Sequence, residues 1–250
     1  MSTSIQFRDL RADADVSFIE VIYREILQPS FSPDELDPLD LILDGLTRGG
    51  SYELWGLSAM DGDMPVGCML VYPYRESGVL LIGYLAVKQG ARSRGIGGLL
   101  ADEGGRRWYG QPGFPLVVAE IEDPRYHAAE GDVDPERRVA FYARRGAQIV
   151  IGPYFQPRLE KCRQRVYDFF LTVHHRGNAV ISPENTISAQ RVADFLQEYF
   201  AASGEGSDWP RDDEGRWLLD WYRSREMVNL QPIGEYAKAD VPRSPFRNAG

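Results

Sequence analysis

Two arginines and three glycines fall within one short stretch, Arg92-Ser93-Arg94-Gly95-Ile96-Gly97-Gly98, directly after the apolar residues Leu80, Leu81, Ile82, Tyr84, Leu85, Ala86 and Val87. The apolar run is short enough for a buried strand, and a helical pattern opens at Leu99, Leu100 and Ala101. A strand that feeds a glycine-rich loop and then a helix presents bare backbone N–H groups at a helix N-terminus, which is an anion site. Guanidinium forks suit phosphate oxygens, and glycine lets the backbone approach a ligand where a Cβ would obstruct it. The chemistry on offer is the holding of a phosphorylated ligand. Two phosphate loops are excluded: the dinucleotide fingerprint places glycine where Leu100 stands, and the triphosphate loop needs Gly-Lys-Ser/Thr, which is absent.

Carboxylates come next. Residues 116–122 read LVVAEIE. In a strand, Leu116, Val118, Glu120 and Glu122 share one face while Val117, Ala119 and Ile121 share the other. Two carboxylates on an otherwise apolar strand either belong to a site or mark where the strand reaches solvent. Further on, Asp134 reads as a helix N-cap with Pro135 at the first helical position, and the helix PERRVAFYARR ends at Gly146. That helix carries Tyr142 beside Phe141, either as a core aromatic or as a working hydroxyl.

Val87 followed by Arg92-x-x-Gly95-x-Gly97 resembles the pyrophosphate signature of the GNAT N-acetyltransferase superfamily, Arg/Gln-x-x-Gly-x-Gly/Ala. Residues 138–147, with Tyr142 four residues before Gly146, resemble the family helix that follows its splayed strand. The resemblance covers roughly residues 4–173 and leaves 174–250 aside. It implies an α/β (α+β) fold, a GNAT-like mixed, mostly antiparallel sheet flanked by helices. It also implies transfer of an acetyl group from acetyl-CoA to a primary amine of a small molecule or peptide. On this resemblance Arg92, Ser93, Arg94, Gly95, Ile96, Gly97 and Gly98 hold the CoA pyrophosphate. Leu85, Ala86 and Val87 line the cofactor, with backbone N–H groups near Ala86 and Val87 stabilising the carbonyl oxygen. Tyr142 is assigned the proton for the departing thiolate. Glu120 and Glu122, on the strand expected to splay, are the candidate bases for an amine that is mostly protonated at neutral pH. Two departures stand out: Gln89 occupies a position where many members carry Pro, and the strand offers Tyr84 where some members place Glu. A non-catalytic acyl-CoA-binding sensor and a protein-interaction module are the alternatives from other classes.

The elements that must position these residues follow from periodicity. Expected are a strand at 4–10, a helix at 14–27, a loop at 28–38 and a helix at 39–48 stopped by Gly49-Gly50. Strands at 52–60 and 65–72 flank the hairpin signal Asp61-Gly62-Asp63. After the glycine loop come a helix from Ile96 to Trp108, the strand 116–122, the helix begun by Asp134, and strands at 147–151 and 165–173 around an irregular 152–164. Phe31, Asp34 and Glu35 belong to the helix–loop–helix that forms one wall of the substrate site in the resembled family. The expected division is an acetyltransferase domain at 1–175 and a helical extension at 176–250. That extension has helices at 187–202 and 212–227 and a polar tail from Gln231. Two helices this aromatic must pack on the main domain or on a second copy, giving a cap or a homodimer.

Composition bounds the rest. In 250 residues, 43% are hydrophobic and 12% aromatic, enough for a substantial core. A net charge of −9 argues against nucleic-acid binding and makes the arginine pair a local positive spot. Cys68 and Cys162, far apart, suit buried small hydrophobes in a reducing cytosol. No leader pattern and no membrane span appear, so the expected location is cytoplasmic. His174-His175 reads as a solvated pair at a strand end, and no metal site is expected.

Overall fold

The computed structural model describes residues 4–48, 53–129, 134–177 and 185–246. The Gly49-Gly50 helix stop and the Tyr52 strand start therefore lie outside the described residues, as does most of the link before 186. The chain forms two compact units, Met1–Pro73 with Leu80–Gln111 and Tyr74–Val79 with Pro112–Gly250.

In the first unit, β1 (Gln6–Asp9) pairs antiparallel with β2 (Trp55–Asp61), and β2 pairs antiparallel with β3 (Met64–Tyr74). The strand order is β1-β2-β3-β4, with β4 spanning Val79–Val87. The hairpin turns at Gly62-Asp63, where Gly62 sits at φ +62°. The helix expected at 14–27 is divided. Asp9 caps α1 (Leu10–Asp13), Ala14 takes a left-handed φ of +42°, and Asp15 caps α2 (Val16–Ile22) by accepting from the Phe18 N–H. The chain then continues as a π-turn over Tyr23–Leu27. Ile19, Ile22, Ile26 and Leu27 are buried, as are Ile42 and Leu46 of α3 (Leu39–Thr47), and α2 packs against α3. The helix after the glycine loop, α4, runs Ile96–Trp108.

In the second unit the strand order is β5-β7-β6-β9-β8. These are β5 (Leu116–Glu122), β6 (Gln148–Val150), β7 (Phe169–Arg176), β8 (Thr186–Ser188) and β9 (Met227–Pro232), antiparallel at every one of these pairings. The helices are α5 (Pro135–Ala143), α6 (Ala189–Ala202) and α7 (Asp213–Arg223). Each unit is thus a sheet of mostly antiparallel strands flanked by helices, and the fold is GNAT-like.

Two strands differ from the sequence expectation for physical reasons. β9 replaces the end of the expected last helix and the start of the polar tail. Its signal is only Val228 and Leu230 turned inward between exposed Met227 and Asn229, an alternation too short to read. β7 begins at Phe169 instead of 165, because Asp168 takes φ +61° and Arg165 is bound elsewhere. The aromatic faces of α6 and α7 are covered within this unit. Phe195, Leu196, Phe200, Leu218, Leu219 and Tyr222 are buried, and Trp209 packs on Phe200 at 4.4 Å between ring centres. Burial of each such side chain contributes about 1.5–3 kcal/mol. Among the described residues no helix is long and apolar enough to cross a membrane.

Arg165 ties the 152–168 connection to the segment between α6 and α7 and to the first turn of α7. It is 6% exposed and meets Glu205 at 2.8 Å, Glu214 at 2.8 Å and Asp212 at 3.0 Å. Burial works against its charge, but these carboxylates more than offset it and raise its pKa. Burial likewise pushes Glu205 up, while Arg165 and Arg158 pull it below the usual range. Removing the cation leaves buried carboxylates uncompensated, so Arg165→Ala is expected to cost about 3–5 kcal/mol in chemical denaturation at neutral pH. With Glu205 depressed, this stabilisation is present above the ordinary carboxylate range and is lost as pH falls through the depressed value. The gap between wild type and variant should therefore narrow in acid. An equal denaturation midpoint at pH 7 would contradict the assignment.

Candidate functional site

The residues expected to hold phosphate come together in the first unit. Leu85, Ala86 and Val87 end β4, a short 3-10 turn occupies Gln89–Ala91, and Arg92, Ser93, Arg94 and Gly95 lead into α4 at Ile96, Gly97 and Gly98. The Lys88 N–H donates to the Val66 carbonyl at 2.9 Å, and the Arg92 Nε donates to the Val87 carbonyl at 3.2 Å. The loop is thereby fastened to the strand it leaves. Ser93 has φ +63° and Gly95 has φ +78°. A methyl at 95 would meet no atom within 4 Å, so glycine is needed there for its backbone conformation and not for space.

Gly95 is the N-cap and offers no side-chain acceptor. The first bond into the helix is Leu99 N–H to the Gly95 carbonyl at 3.1 Å, so the N–H groups of Ile96, Gly97 and Gly98 precede the ladder. Arg94 pairs with Asp61 at 2.7 Å on the surface. Such an exposed pair is worth at most ~1 kcal/mol and is readily exchanged for a phosphate. Oriented N–H donors, the helix dipole and two guanidinium groups fit a diphosphate.

Beside the loop's strand lies an aromatic and acidic cluster. The Tyr84 hydroxyl accepts from the Asp37 N–H at 2.9 Å, the Tyr72 hydroxyl donates to the Asp37 carboxylate, and the Phe31 ring meets Tyr84 edge-on at 5.0 Å. A side chain at Gly83 would strike the Tyr72 ring. The acid that meets the strand tyrosines is thus the buried Asp37. Glu35 instead accepts from the Ser32 N–H within its own turn.

The second unit holds Glu120, Glu122 and Tyr142. Glu120 on β5 accepts from the Tyr154 hydroxyl, from the Tyr199 hydroxyl at 3.3 Å and from Gln156 Nε2 at 3.4 Å. Glu122 pairs with Arg138 of α5 at 3.0 Å. Burial pushes the Tyr142 phenol up, against the pull of Arg138 and Arg145. Its ring meets Phe141 and His174 edge-on, each at 4.9 Å.

His174 is not the solvated residue that its place in the sequence suggested. It lies inside β7, its Nε2 is 2.9 Å from the Thr172 hydroxyl, and burial pushes its imidazole down to about 4. The Thr172 hydroxyl gives its one proton to the Ala119 carbonyl at 2.8 Å, which assigns the proton of the His174 contact to Nε2. Cys68 is buried as expected, whereas Cys162 is exposed. Among the described residues no His, Cys, Asp and Glu group could hold a metal ion. Tyr154 and Tyr199 escaped sequence reasoning. The first sits in an irregular connection without periodicity, and the second is indistinguishable from the packing face of α6.

The sequence profile of the Acetyltransferase (GNAT) family matches residues 19–147. Among solved structures, a protein from Bacteroides thetaiotaomicron assigned to the GNAT family is 21% identical with a TM-score of 0.53, covering 70% of this chain and 89% of its own. Diaminobutyrate acetyltransferase EctA from Paenibacillus lautus, solved with L-2,4-diaminobutyric acid and coenzyme A, is 14% identical with a TM-score of 0.48, covering 70% and 96%. Arabidopsis thaliana NAA60 with acetyl-CoA is 17% identical with a TM-score of 0.48, covering 69% and 98%. With a TM-score above 0.5 at 21% identity, the first of these likenesses speaks for the fold. No curated protein matches the sequence.

The depressed His174 fixes a pH dependence. The unfolded chain takes up a proton at this imidazole below pH 6.5, and the folded chain refuses it until about pH 4. Unfolding free energy should therefore fall as pH is lowered through that window. His174→Gln should flatten this part of the stability profile. An unchanged slope in the variant would show that His174 is solvated in the folded chain.

Proposed function

This chain belongs to the GNAT acetyltransferase family, and from that premise we propose that it moves the acetyl group of acetyl-CoA to a primary amine of a small molecule or peptide. The observation that carries the reading is the uncapped start of α4, set directly after β4 and flanked by Arg92 and Arg94. Acetyl-CoA is the co-substrate, and when bound it supplies a thioester carbonyl open to attack by a neutral amine. The N–H groups of Ile96, Gly97 and Gly98, with Arg92 and Arg94, bind its diphosphate. Backbone N–H groups near Ala86 and Val87 are assigned to the carbonyl oxygen as negative charge develops there.

Three proton movements remain. Glu120 is the base that takes a proton from the ammonium onto a carboxylate oxygen, and the hydroxyls of Tyr154 and Tyr199 hold that carboxylate in place. Glu122, occupied by Arg138, serves instead to position α5. Tyr142 gives its hydroxyl proton to the departing sulfur and is reprotonated by the second proton that the acylated nitrogen loses, a role suited to a phenol kept protonated by burial.

We keep the acetyltransferase domain at 1–175 and read residues 176–250 as an extension that caps its own unit. The aromatic faces of α6 and α7, on which a homodimer would rest, are already covered within that unit. Two free thiols suit a reducing, cytoplasmic setting.

Free-thiol release from acetyl-CoA across an amine library, measured for wild type and for Tyr142→Phe, tests the reaction. Expected are amine-dependent thiol release by wild type, a turnover at least ~100-fold lower in Tyr142→Phe, and little change in cofactor affinity. Equal turnover in the variant would return Tyr142 to the core.

A further inference from the structure

The turn at residues 75–78 is held by a helix far along the chain. Residues 74–79 belong to the second unit, as does α6. The Glu198 carboxylate on α6 accepts from the Glu76 N–H at 3.2 Å, from the Ser77 N–H at 2.9 Å and from the Ser77 hydroxyl at 2.8 Å. Arg191, about two helical turns earlier on the same face, donates to the Ser77 carbonyl at 2.7 Å. The amide, carbonyl and hydroxyl of Ser77, a residue only 4% exposed, are thus all bound to α6. The next residue on the helix, Tyr199, directs its hydroxyl at both oxygens of Glu120, at 3.4 and 3.3 Å. Its ring lies 5.4 Å from that of Tyr74, just before the turn, and 5.6 Å from that of Phe195.

We propose that Glu198 is a positioning residue for the transfer reaction: its clamp on the 75–78 turn sets α6 so that the Tyr199 hydroxyl stands on the Glu120 carboxylate. The proposal rests on the reading of Glu120 as the base. Apolar burial is non-directional, so buried Phe195, Leu196 and Phe200 keep α6 in the core without fixing its rotation or its axial position. The four bonds to residues 76 and 77 are directional, and three of them end on a carboxylate. They pin the helix at Arg191 and Glu198, about 10 Å apart along its axis. Tyr199 adjoins the second pin, and its contacts with Glu120 lie at the long end of hydrogen-bond geometry. An outward shift of α6 by about half an ångström would break them. Other groups around Glu120 come from elsewhere. Tyr154 and Gln156 belong to the 152–168 connection, Leu171 stands opposite on β7, and Glu122 along the same face is paired with Arg138. Tyr199 is what α6 adds, and a donated hydroxyl favours the ionised carboxylate. A base accepts a proton only when ionised. A helix beyond the residues that the family profile matches thereby helps to set the pH at which transfer begins.

The pH profile of kcat/KM for amine-dependent thiol release tests this in the full chain, with Tyr199→Phe, Glu198→Ala, the double variant and Glu120→Gln beside wild type. In Tyr199→Phe the acid limb should move to higher pH by about half a pH unit or more. Glu198→Ala should move it the same way, and the double variant no further than Tyr199→Phe, because one residue acts through the other. A purely structural loss would lower the plateau and leave the limb in place. Limbs unmoved in both single variants, or displacements that add in the double variant, would overturn the proposal. Glu120→Gln keeps the two readings apart. Full turnover in that variant removes the base assignment and the proposal with it, whereas an inactive Glu120→Gln beside an unmoved Tyr199→Phe removes the proposal alone. Chemical denaturation of the same variants gives a readout that needs no turnover. Loss of the Tyr199 hydroxyl should lower the midpoint in wild type and leave it unchanged in the Glu198→Ala background. Equal losses in both backgrounds would likewise overturn the proposal.

Discussion

Three backbone N–H groups at the start of α4 have no acceptor within the helix, and the surrounding chain is arranged to leave them that way. A serine, threonine or aspartate at the cap would have satisfied one of them. Gly95 stands there instead, in a left-handed conformation that turns the chain from β4 into the helix. Arg92 fastens the loop to the last carbonyl of β4, and Lys88 fastens the strand end to β3, so the donors are held by the sheet and not by a mobile loop. Two arginines on a chain of net charge −9 flank these donors, and on this arrangement the proposed diphosphate site rests.

The second unit is organised by a different constraint, the disposal of buried charge. Arg165 is satisfied only by gathering Glu205, Asp212 and Glu214, all from the segment beyond β8. That requirement pulls the 152–168 connection and the C-terminal helices into one body, and with it Tyr154 onto Glu120 and Tyr167 onto Glu214. The same packing keeps His174 neutral against the Tyr142 ring. A polar network deep enough to be costly thus fixes the side chains around both proposed proton-handling groups.

What could be read from the sequence was local. β5 and α4 fall where their apolar patterns place them, and α5 starts at the Asp134-Pro135 signal and stops before Gly146, which takes φ +75°. These residues carry their instructions in their immediate neighbours: a cap, a proline, a glycine. The proposed phosphate loop stands out for the same reason, since such chemistry needs particular residue types at fixed spacing.

The remainder depends on partners distant in sequence. Asp37 meets Tyr72 and Tyr84 across 35 and 47 positions, and Tyr199 reaches Glu120 across 79. No periodicity announces such contacts. β9 was hidden because a six-residue strand with two inward positions is indistinguishable from a polar tail, and Asp168 shortened β7 through a backbone angle that its neighbours do not signal.

The most direct test of the account is calorimetry of the wild-type chain and of Arg92→Ala/Arg94→Ala, each titrated with acetyl-CoA and separately with NAD. The account predicts acetyl-CoA binding in the micromolar range, no NAD binding, and a loss of several-fold or more in the folded double variant. Failure of the folded wild type to bind acetyl-CoA, or equal affinity in the variant, would make the loop before α4 a structural turn and contradict the account at its centre.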